Sequence, residues 1–238
     1  SIYVANFSKR GTIGKVSPTG EASLFLTLPE GSVANGAQIS QSGMLYLADY
    51  RGHNILKVDL ATKPISVHCH EPKMHQPNDL ALAKDGTLYA SDPDWKGGKG
   101  QLWRIDPDGK AHLLLKEGLI TPNGIALTPD ESSLIISETK PRRVRSFALK
   151  QGKLAKEGHT IKTFKEGELD GLRVDGRGQI HVTRPLKGRV SVLSPAGELI
   201  REIHTSGDVP TNLTFGGKGG KTAFVCVADK GRLESYLL

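Results

Sequence analysis

The chain has 238 residues, of which 24% are charged and 37% are hydrophobic, and its formal net charge at pH 7 is +7. These values are ordinary for a globular protein and exclude a disordered, collagen-like or coiled-coil chain. The length is sufficient for one large domain with its own core, and no run of 18 apolar residues predicts a transmembrane helix.

The positive net charge raises the question of an anionic partner, so the positions of the basic residues matter. They are scattered along the chain except for one cluster, formed by Lys140, Arg142, Arg143 and Arg145 around Pro141. No aromatic residue lies within this cluster to stack on bases. We therefore predict a solvated loop at this point and neither a nucleic-acid nor a membrane partner.

The two cysteines, Cys69 and Cys226, lack the paired spacing of a disulfide framework or a structural zinc site. We expect both to be buried free thiols. The first residues, SIYVANFSKRG, contain neither the charged region nor the apolar region of a secretory signal. These features favour a cytoplasmic protein.

A repeat organises the chain. Its anchor residues are separated by 43, 45, 47 and 42 residues, and they are Asn35, Asn78, Asn123, Asp170 and Asn212. Each anchor opens a short apolar run that a polar turn joins to a second apolar run, which is typical of a β-hairpin. The period is that of one four-stranded blade of a β-propeller.

The strands can be predicted in chain order from this repeat. The hairpins cover residues 35–39 and 44–49, 77–82 and 87–92, 122–127 and 134–138, 169–174 and 179–183, and 210–215 and 222–227. Third strands are expected at residues 100–105 and 188–193. The predicted fold class is all-β, a six-bladed β-propeller of mostly four-stranded antiparallel blades.

Both ends of the chain predict an incomplete blade. Residues 2–6, 14–16 and 24–26 match the second, third and fourth strands of a blade, so the first blade lacks its inner strand. Residues 213–215, 223–227 and 232–237 match the first three strands of the last blade. We expect one propeller domain over residues 1–238, with 22 strands, and a segment upstream of Ser1 that supplies the missing strands.

Four motifs give the repeat a family resemblance. They are Pro77-Asn78-Asp79, Pro122-Asn123-Gly124-Ile125-Ala126, Asp170-Gly171-Leu172-Arg173-Val174-Asp175, and Pro210-Thr211-Asn212 with Phe215-Gly216-Gly217. In their order and spacing these motifs resemble the family of senescence marker protein 30, gluconolactonase and luciferin-regenerating enzyme over nearly the whole chain. The resemblance implies a six-bladed propeller that hydrolyses sugar lactones or other small lactones with one divalent cation, calcium in preference to zinc.

The resemblance also implies which residues form the site. Asn123 and Asp170 match metal ligands of the family, and Asn78 matches an Asn that reaches the metal or the substrate. Gln76 stands where some members have an Arg, and we expect it to contact the substrate. Carboxylate and amide oxygens suit a hard divalent ion, which polarises a carbonyl and lowers the pKa of bound water. Asp170 would also act as the general base.

Each anchor has an alternative role, because Asn side chains also stabilise turns through hydrogen bonds to nearby backbone. We favour that role for Asn35 and Asn212. The family has a further Glu ligand on its first inner strand that this sequence does not contain. Either that Glu lies upstream of Ser1, or the site is degraded and the protein is a non-catalytic propeller that binds a small ligand or a protein.

Three further motifs favour structural roles. Residues 216–222 read GGKGGKT, but Phe215 stands where a phosphate-binding loop needs its first Gly, so they predict a hairpin turn. Residues 68–70, His-Cys-His, lack a fourth metal ligand and predict a solvated outer strand. Residues 92–94 lack the bidentate Glu of a calcium loop and predict a blade loop at the mouth of the channel.

Overall fold

The computed structural model describes residues 1–6 and 9–238. In these two ranges nearly all regular structure is β, with 23 strands in six antiparallel sheets and two short 3₁₀ turns. The same ranges contain no helix that is both long and apolar enough to cross a membrane.

The first three sheets follow one another along the chain. Sheet I contains β1 (Ile2–Ala5), β2 (Thr12–Val16) and β3 (Ala22–Thr27). Sheet II contains β4 (Ala34–Ile39), β5 (Met44–Asp49), β6 (Asn54–Asp59) and β7 (Ile65–His70). Sheet III contains β8 (Leu80–Leu82), β9 (Leu88–Asp94), β10 (Lys99–Ile105) and β11 (Ala111–Leu119).

The last three sheets continue the same order. Sheet IV contains β12 (Pro122–Leu127), β13 (Ser133–Glu138), β14 (Arg143–Lys150), β15 (Lys153–Leu154) and β16 (His159–Thr163). Sheet V contains β17 (Leu172–Val174), β18 (Ile180–Arg184), β19 (Arg189–Leu193) and β20 (Leu199–His204). Sheet VI contains β21 (Pro210–Gly216), β22 (Thr222–Val227) and β23 (Arg232–Leu237), and the 3₁₀ turns are Lys218–Gly220 and Ala228–Lys230.

This architecture confirms the predicted fold class, a six-bladed β-propeller with mostly four-stranded blades. Sheets I and VI have three strands each among the described residues, as the ends of the repeat predicted. The structure adds one short strand, β15, to those predicted. It forms because Gln151 and Gly152 both adopt positive φ, which turns the end of β14 back in a two-residue hairpin.

The described residues divide into two compact units, and the first comprises residues 1–94 and 100–116. Successive side chains of a strand point to opposite faces, and both faces of β5 are buried. Leu45 packs into a cluster with side chains of sheet I, whereas Tyr46 packs into a second cluster with Trp103 of sheet III. Burial on both faces explains why the second strand of the repeat is a continuous apolar run.

The second unit comprises residues 95–99 and 117–238. Val182 of β18 belongs to a core cluster formed by sheets IV and V, and Val190 of β19 belongs to a cluster with Val225 of sheet VI. Each of these sheets therefore shares its apolar surface with the next. That the chain forms a single domain stays a prediction.

The basic cluster is only partly a loop, so that prediction was wrong for two of its members. Arg143 and Arg145 lie on β14 beside the buried carboxylate of Glu138. Arg143 donates from Nε to Glu138 Oε2 at 2.5 Å, and the guanidinium of Arg145 donates to the carbonyl oxygens of Gly118 and Gly158. A cation that is paired with a buried acid cannot be distinguished from a solvated one by its sequence neighbours.

Both cysteines are free, as predicted, and Cys69 is buried. Cys226 is half-buried as a residue, although burial of its thiol raises the pKa of that group. Residues 68–70 lie on β7, the outermost strand of sheet II, as predicted, with His70 exposed and Cys69 turned inward. Residues 216–222 form the predicted hairpin between β21 and β22.

The prediction of a loop at residues 92–94 was wrong, because all three residues belong to β9. The carboxylate of Asp92 is fully buried. It accepts hydrogen bonds from the backbone amides of His75 and Gln76 and from Trp103 Nε1, at 2.9, 2.6 and 3.0 Å. Asp92 thus organises the backbone and does not form part of a calcium loop.

Candidate active site

The anchor residues lie on irregular backbone. In sheets II, IV and VI the register between the first and second strands shifts at the anchor. In sheets III and V the regular strand begins two residues after the anchor, at Leu80 and Leu172, so the predicted starts at residues 77 and 169 were too early. Bulged backbone of this kind redirects side chains, and it is common beside active sites.

Consecutive sheets meet at the residue that follows the anchor. In the second unit, the amide of Gly124 donates to the carbonyl oxygen of Asp170 at 3.3 Å. The amide of Gly171 donates in the same way to the carbonyl oxygen of Thr211 at 2.8 Å. Backbone groups at or next to the anchors therefore link sheets IV, V and VI.

These contacts require glycine. A Cβ atom on Gly124 would lie 2.3 Å from the backbone nitrogen of Leu172, and one on Gly171 would lie 2.2 Å from Asn212 Oδ1. Such distances are far below a van der Waals contact, so no larger residue fits without movement of the backbone. In the first unit, Gly36 makes the equivalent close approach.

Hydroxyl groups on the second strands reinforce the links. Ser137 Oγ donates to the carbonyl oxygen of Asp170 at 2.5 Å and accepts the amide of Gly124 at 2.8 Å. Thr183 Oγ1 donates to the carbonyl oxygen of Thr211 at 3.0 Å. These residues were not predicted from the sequence, although a hydroxyl residue stands next to last in both β13 and β18.

The structure brings two of the predicted site residues, Asn123 and Asp170, onto neighbouring sheets of the second unit. Asp170 is half-buried, and its amide donates to the carbonyl oxygen of Thr183 at 3.2 Å. Asn123 is 6% exposed, and its Nδ2 donates to Thr139 Oγ1 at 3.1 Å. That bond orients the Asn123 amide group. Its oxygen is the atom of this group that can accept a hydrogen bond or bind a cation.

The other two predicted site residues, Gln76 and Asn78, belong to the first unit. Asn78 is 8% exposed, and its backbone amide donates to the carbonyl oxygen of Ser91 at 2.8 Å. Gln76 is half-buried, and its backbone is held by the bond to Asp92. Their roles in binding metal or substrate stay predictions.

Asn212 has the local contact expected of a turn residue. Its Oδ1 accepts the amide of the next residue, Leu213, at 2.8 Å. Asn35 is exposed. The contact of Asn212 agrees with the structural role that we favour for it, whereas the role of Asn35 stays a prediction.

Cys226 lies close enough to both Arg173 and Asp170 to feel their charges, and neither Cys226 nor Arg173 was predicted as a site residue. Burial raises the pKa of the Cys226 thiol to about 11, the positive charge of Arg173 acts to lower it, and the charge of Asp170 acts to raise it. The thiol is therefore protonated at neutral pH and is a poor nucleophile.

A buried polar cluster, separate from the anchors, lies where sheet V packs on sheet VI. His181 is fully buried, with Nδ1 2.7 Å from Tyr236 Oη and Nε2 3.4 Å from Asp175 Oδ2. Its ring also packs edge-on against Phe215. Burial lowers the pKa of His181, although the neighbouring Asp175 acts to raise it.

The described residues contain no group of three His, Cys, Asp or Glu side chains that could hold a metal ion. The predicted ligands offer one carboxylate, on Asp170, and neutral amide oxygens. These atoms are of the kind that hard divalent cations prefer. The donor set fits such an ion in kind, with a single negative charge.

The family of the chain emerges from comparison with known proteins. A profile of the SMP-30/Gluconolactonase/LRE-like region matches residues 8–229. A gluconolactonase of Zymomonas mobilis subsp. mobilis is 28% identical over 217 residues, which cover 81% of this chain and 60% of that protein. The chain thus spans less than two thirds of the length of this relative.

Two solved structures have the same fold. The gluconolactonase of Xanthomonas campestris matches with a TM-score of 0.81 and 21% identity, over 95% of this chain and 78% of that one. The calcium-binding protein regucalcin of Agrobacterium tumefaciens matches with a TM-score of 0.81 and 20% identity, over 94% of this chain and 76% of that one. At these identities the likeness is one of fold. The profile match spans most of the sequence, and the chain therefore belongs to the SMP-30/gluconolactonase/LRE-like family.

Proposed function

We propose that this chain is a divalent-metal-dependent lactonase that opens the ring of a small lactone, such as a sugar lactone. The observation that carries the proposal is the contact between the backbones that bear Asn123 and Asp170, through Gly124 and the Asp170 carbonyl. Two residues that match family metal ligands are thereby held on adjacent sheets. The gluconolactonase relative supports the substrate class.

Asp170 and Asn123 would hold the cation through carboxylate and amide oxygens. Oxygen donors of this kind favour calcium over zinc, because zinc more often binds nitrogen and sulfur. Zinc is the alternative cation. When bound, the cation would polarise the lactone carbonyl and lower the pKa of water.

Asp170 would also serve as the general base. Its carboxylate would accept a proton from the water that attacks the lactone carbonyl and return it to the ring oxygen, which leaves as the alcohol of a hydroxy acid. A positioned base of this type contributes about 10²–10⁴-fold to a rate. Asn78 and Gln76 would bind the substrate and orient its ring.

The test is hydrolysis of a panel of aldonolactones and simple γ-lactones, followed as acid release with calcium, with zinc, and with a chelator. We expect turnover that requires a divalent ion and that is lost in Asp170→Ala. Asn78→Ala should raise KM more than it lowers kcat, because that residue would bind the ground state and the transition state equally. Asn212→Ala is the control and should retain turnover.

Two outcomes would contradict the proposal. Turnover that persists in chelator or in Asp170→Ala would exclude the metal mechanism. Binding of a divalent ion without turnover of any lactone would instead favour a non-catalytic propeller. This alternative is tested because the anchors include a single carboxylate, that of Asp170.

A further inference from the structure

A recurring contact holds the segment that precedes the first strand of a sheet. In four sheets an acid at or near the end of the second strand accepts backbone amide hydrogens from that segment. Asp49 accepts from Val33, Asp92 from His75 and Gln76, Glu138 from Ile120, and Asp229 from Asp208 and Val209. Each of these donors lies two to four residues before its anchor, so the acid fixes the backbone that leads to it.

Sheet V reverses the polarity of this contact. The corresponding residue is Arg184, at the end of β18, and it is 5% exposed. Its Nη2 donates to the carbonyl oxygen of Glu166 at 2.5 Å, four residues before Asp170. The guanidinium lies over the ring of Phe164 at 4.0 Å, and its charge is balanced by Glu202, 3.5 Å away.

The residues on either side of Arg184 hold the same segment. The carbonyl oxygen of Pro185 accepts the amide of Glu168 at 3.4 Å, and that of Thr183 accepts the amide of Asp170 at 3.2 Å. Leu169 is fully buried in the cluster formed by sheets IV and V. The backbone from Glu166 to Asp170 is thus fixed at three points along the end of β18.

Gly167 shows how close this packing is. It adopts a φ of +71°, and a Cβ atom there would lie 2.6 Å from Lys187 Cγ and 3.4 Å from Arg184 Nη2. A side chain at position 167 would therefore meet the side chain of Lys187, and the segment cannot move away from β18 without breaking the bond from Arg184.

We propose that Arg184 is the positioning residue for Asp170: through the Glu166 carbonyl it holds the segment that places the Asp170 carboxylate for metal binding and for water activation. The inference rests on the function proposed above. An acid could not replace it, because a carboxylate would face the carbonyl oxygen of Glu166 without a proton to share.

The test compares Arg184→Gln and Arg184→Lys with Asp49→Asn, in the full chain. Asp49 is a matched control because it is fully buried and holds Val33, but its segment leads to Asn35 and not to a proposed ligand. All three variants should lose thermal stability. We expect kcat to fall about 10- to 100-fold in Arg184→Gln, with little change in KM, because small displacements of a catalytic group have effects of this size. Arg184→Lys should recover part of that loss.

Calorimetric titration with calcium gives a readout that is independent of turnover. We expect weaker binding in Arg184→Gln and unchanged binding in Asp49→Asn. The inference is overturned if Arg184→Gln keeps both kcat and calcium affinity, or if Asp49→Asn loses as much of them. Should the wild type bind calcium but hydrolyse no lactone, loss of affinity confined to the Arg184 variants would support the positioning role while the lactonase proposal fails.

Discussion

Ser137 of sheet IV donates its hydroxyl hydrogen to the carbonyl oxygen of Asp170 in sheet V at 2.5 Å, and accepts the amide of Gly124. Ser137→Ala should therefore remove one hydrogen-bond partner from each of two backbone groups, the Asp170 carbonyl and the Gly124 amide. We expect a loss of about 1–3 kcal/mol in the free energy of unfolding, measured in urea. Ser235→Ala, at an exposed position of β23, should change it by no more than about 0.5 kcal/mol. Equal losses in the two variants would contradict this account.

Gly124 and Gly171 should tolerate no side chain. Replacing either by Ala should destabilise the protein by about 1–3 kcal/mol or more, because the added Cβ meets backbone or a side chain at 2.3 Å or less. Gly176→Ala is a matched control, since a Cβ atom on Gly176 would meet nothing within 4 Å. That variant should be neutral or gain up to about 1 kcal/mol through a less flexible unfolded chain. A neutral Gly124→Ala would refute the close contact.

Asp170 should dominate cation binding. Asp170→Asn removes the charged ligand that we assign, whereas Asn212→Ala removes a side chain that caps its own backbone. Calorimetric titration with calcium should therefore give a much larger increase in Kd for the first variant. Similar values of Kd in both variants would show that the ion is held elsewhere.

The stability of the protein should fall below neutral pH through the buried His181 and the half-buried His68. Burial lowers the pKa of His181, and burial together with the charge of Lys57 lowers that of His68. An unfolded histidine takes up a proton near its ordinary pKa of about 6.5, whereas these side chains in the folded protein take one up only at lower pH. The unfolded protein therefore binds more protons than the folded one, and the free energy of unfolding decreases as the pH is lowered from 7 through the ordinary histidine pKa.

Thermal unfolding between pH 5 and 8 checks this expectation. His181→Gln should flatten the decrease in Tm toward low pH, and His204→Gln, at an exposed position of β20, should leave its slope unchanged. An unaltered slope in the His181 variant would mean that other groups account for the pH dependence.

The strands could be predicted because each second strand is an apolar run between polar turns, and β5, β12 and β22 have their predicted bounds. The starts of β8 and β17 could not be predicted in this way. At Asn78 and Asp170 the backbone hydrogen-bonds to a neighbouring sheet, and a pattern of apolar residues carries no information about that partner.

The candidate site could be predicted in part. Asn123 and Asp170 were assigned through a family resemblance and the repeat placed them on consecutive blades, and their roles as ligands stay predictions. Ser137 and Arg184 were missed, because each acts through a contact with a residue 33 or 18 positions away in the sequence. The reversal of charge at Arg184 was visible in the sequence, but its meaning depends on the carbonyl oxygen that faces it.

Because of this reversal, the hairpin of one sheet cannot simply replace that of another. Sheets II, III, IV and VI pair an acid with amide hydrogens, and sheet V pairs Arg184 with a carbonyl oxygen. If the hairpin of sheet V were exchanged for that of sheet IV, a carboxylate would meet an acceptor and both would lose their partners. The smallest segment that can be duplicated or transplanted intact therefore runs from the residues before the anchor to the end of the second strand, which in sheet V means residues 164–184.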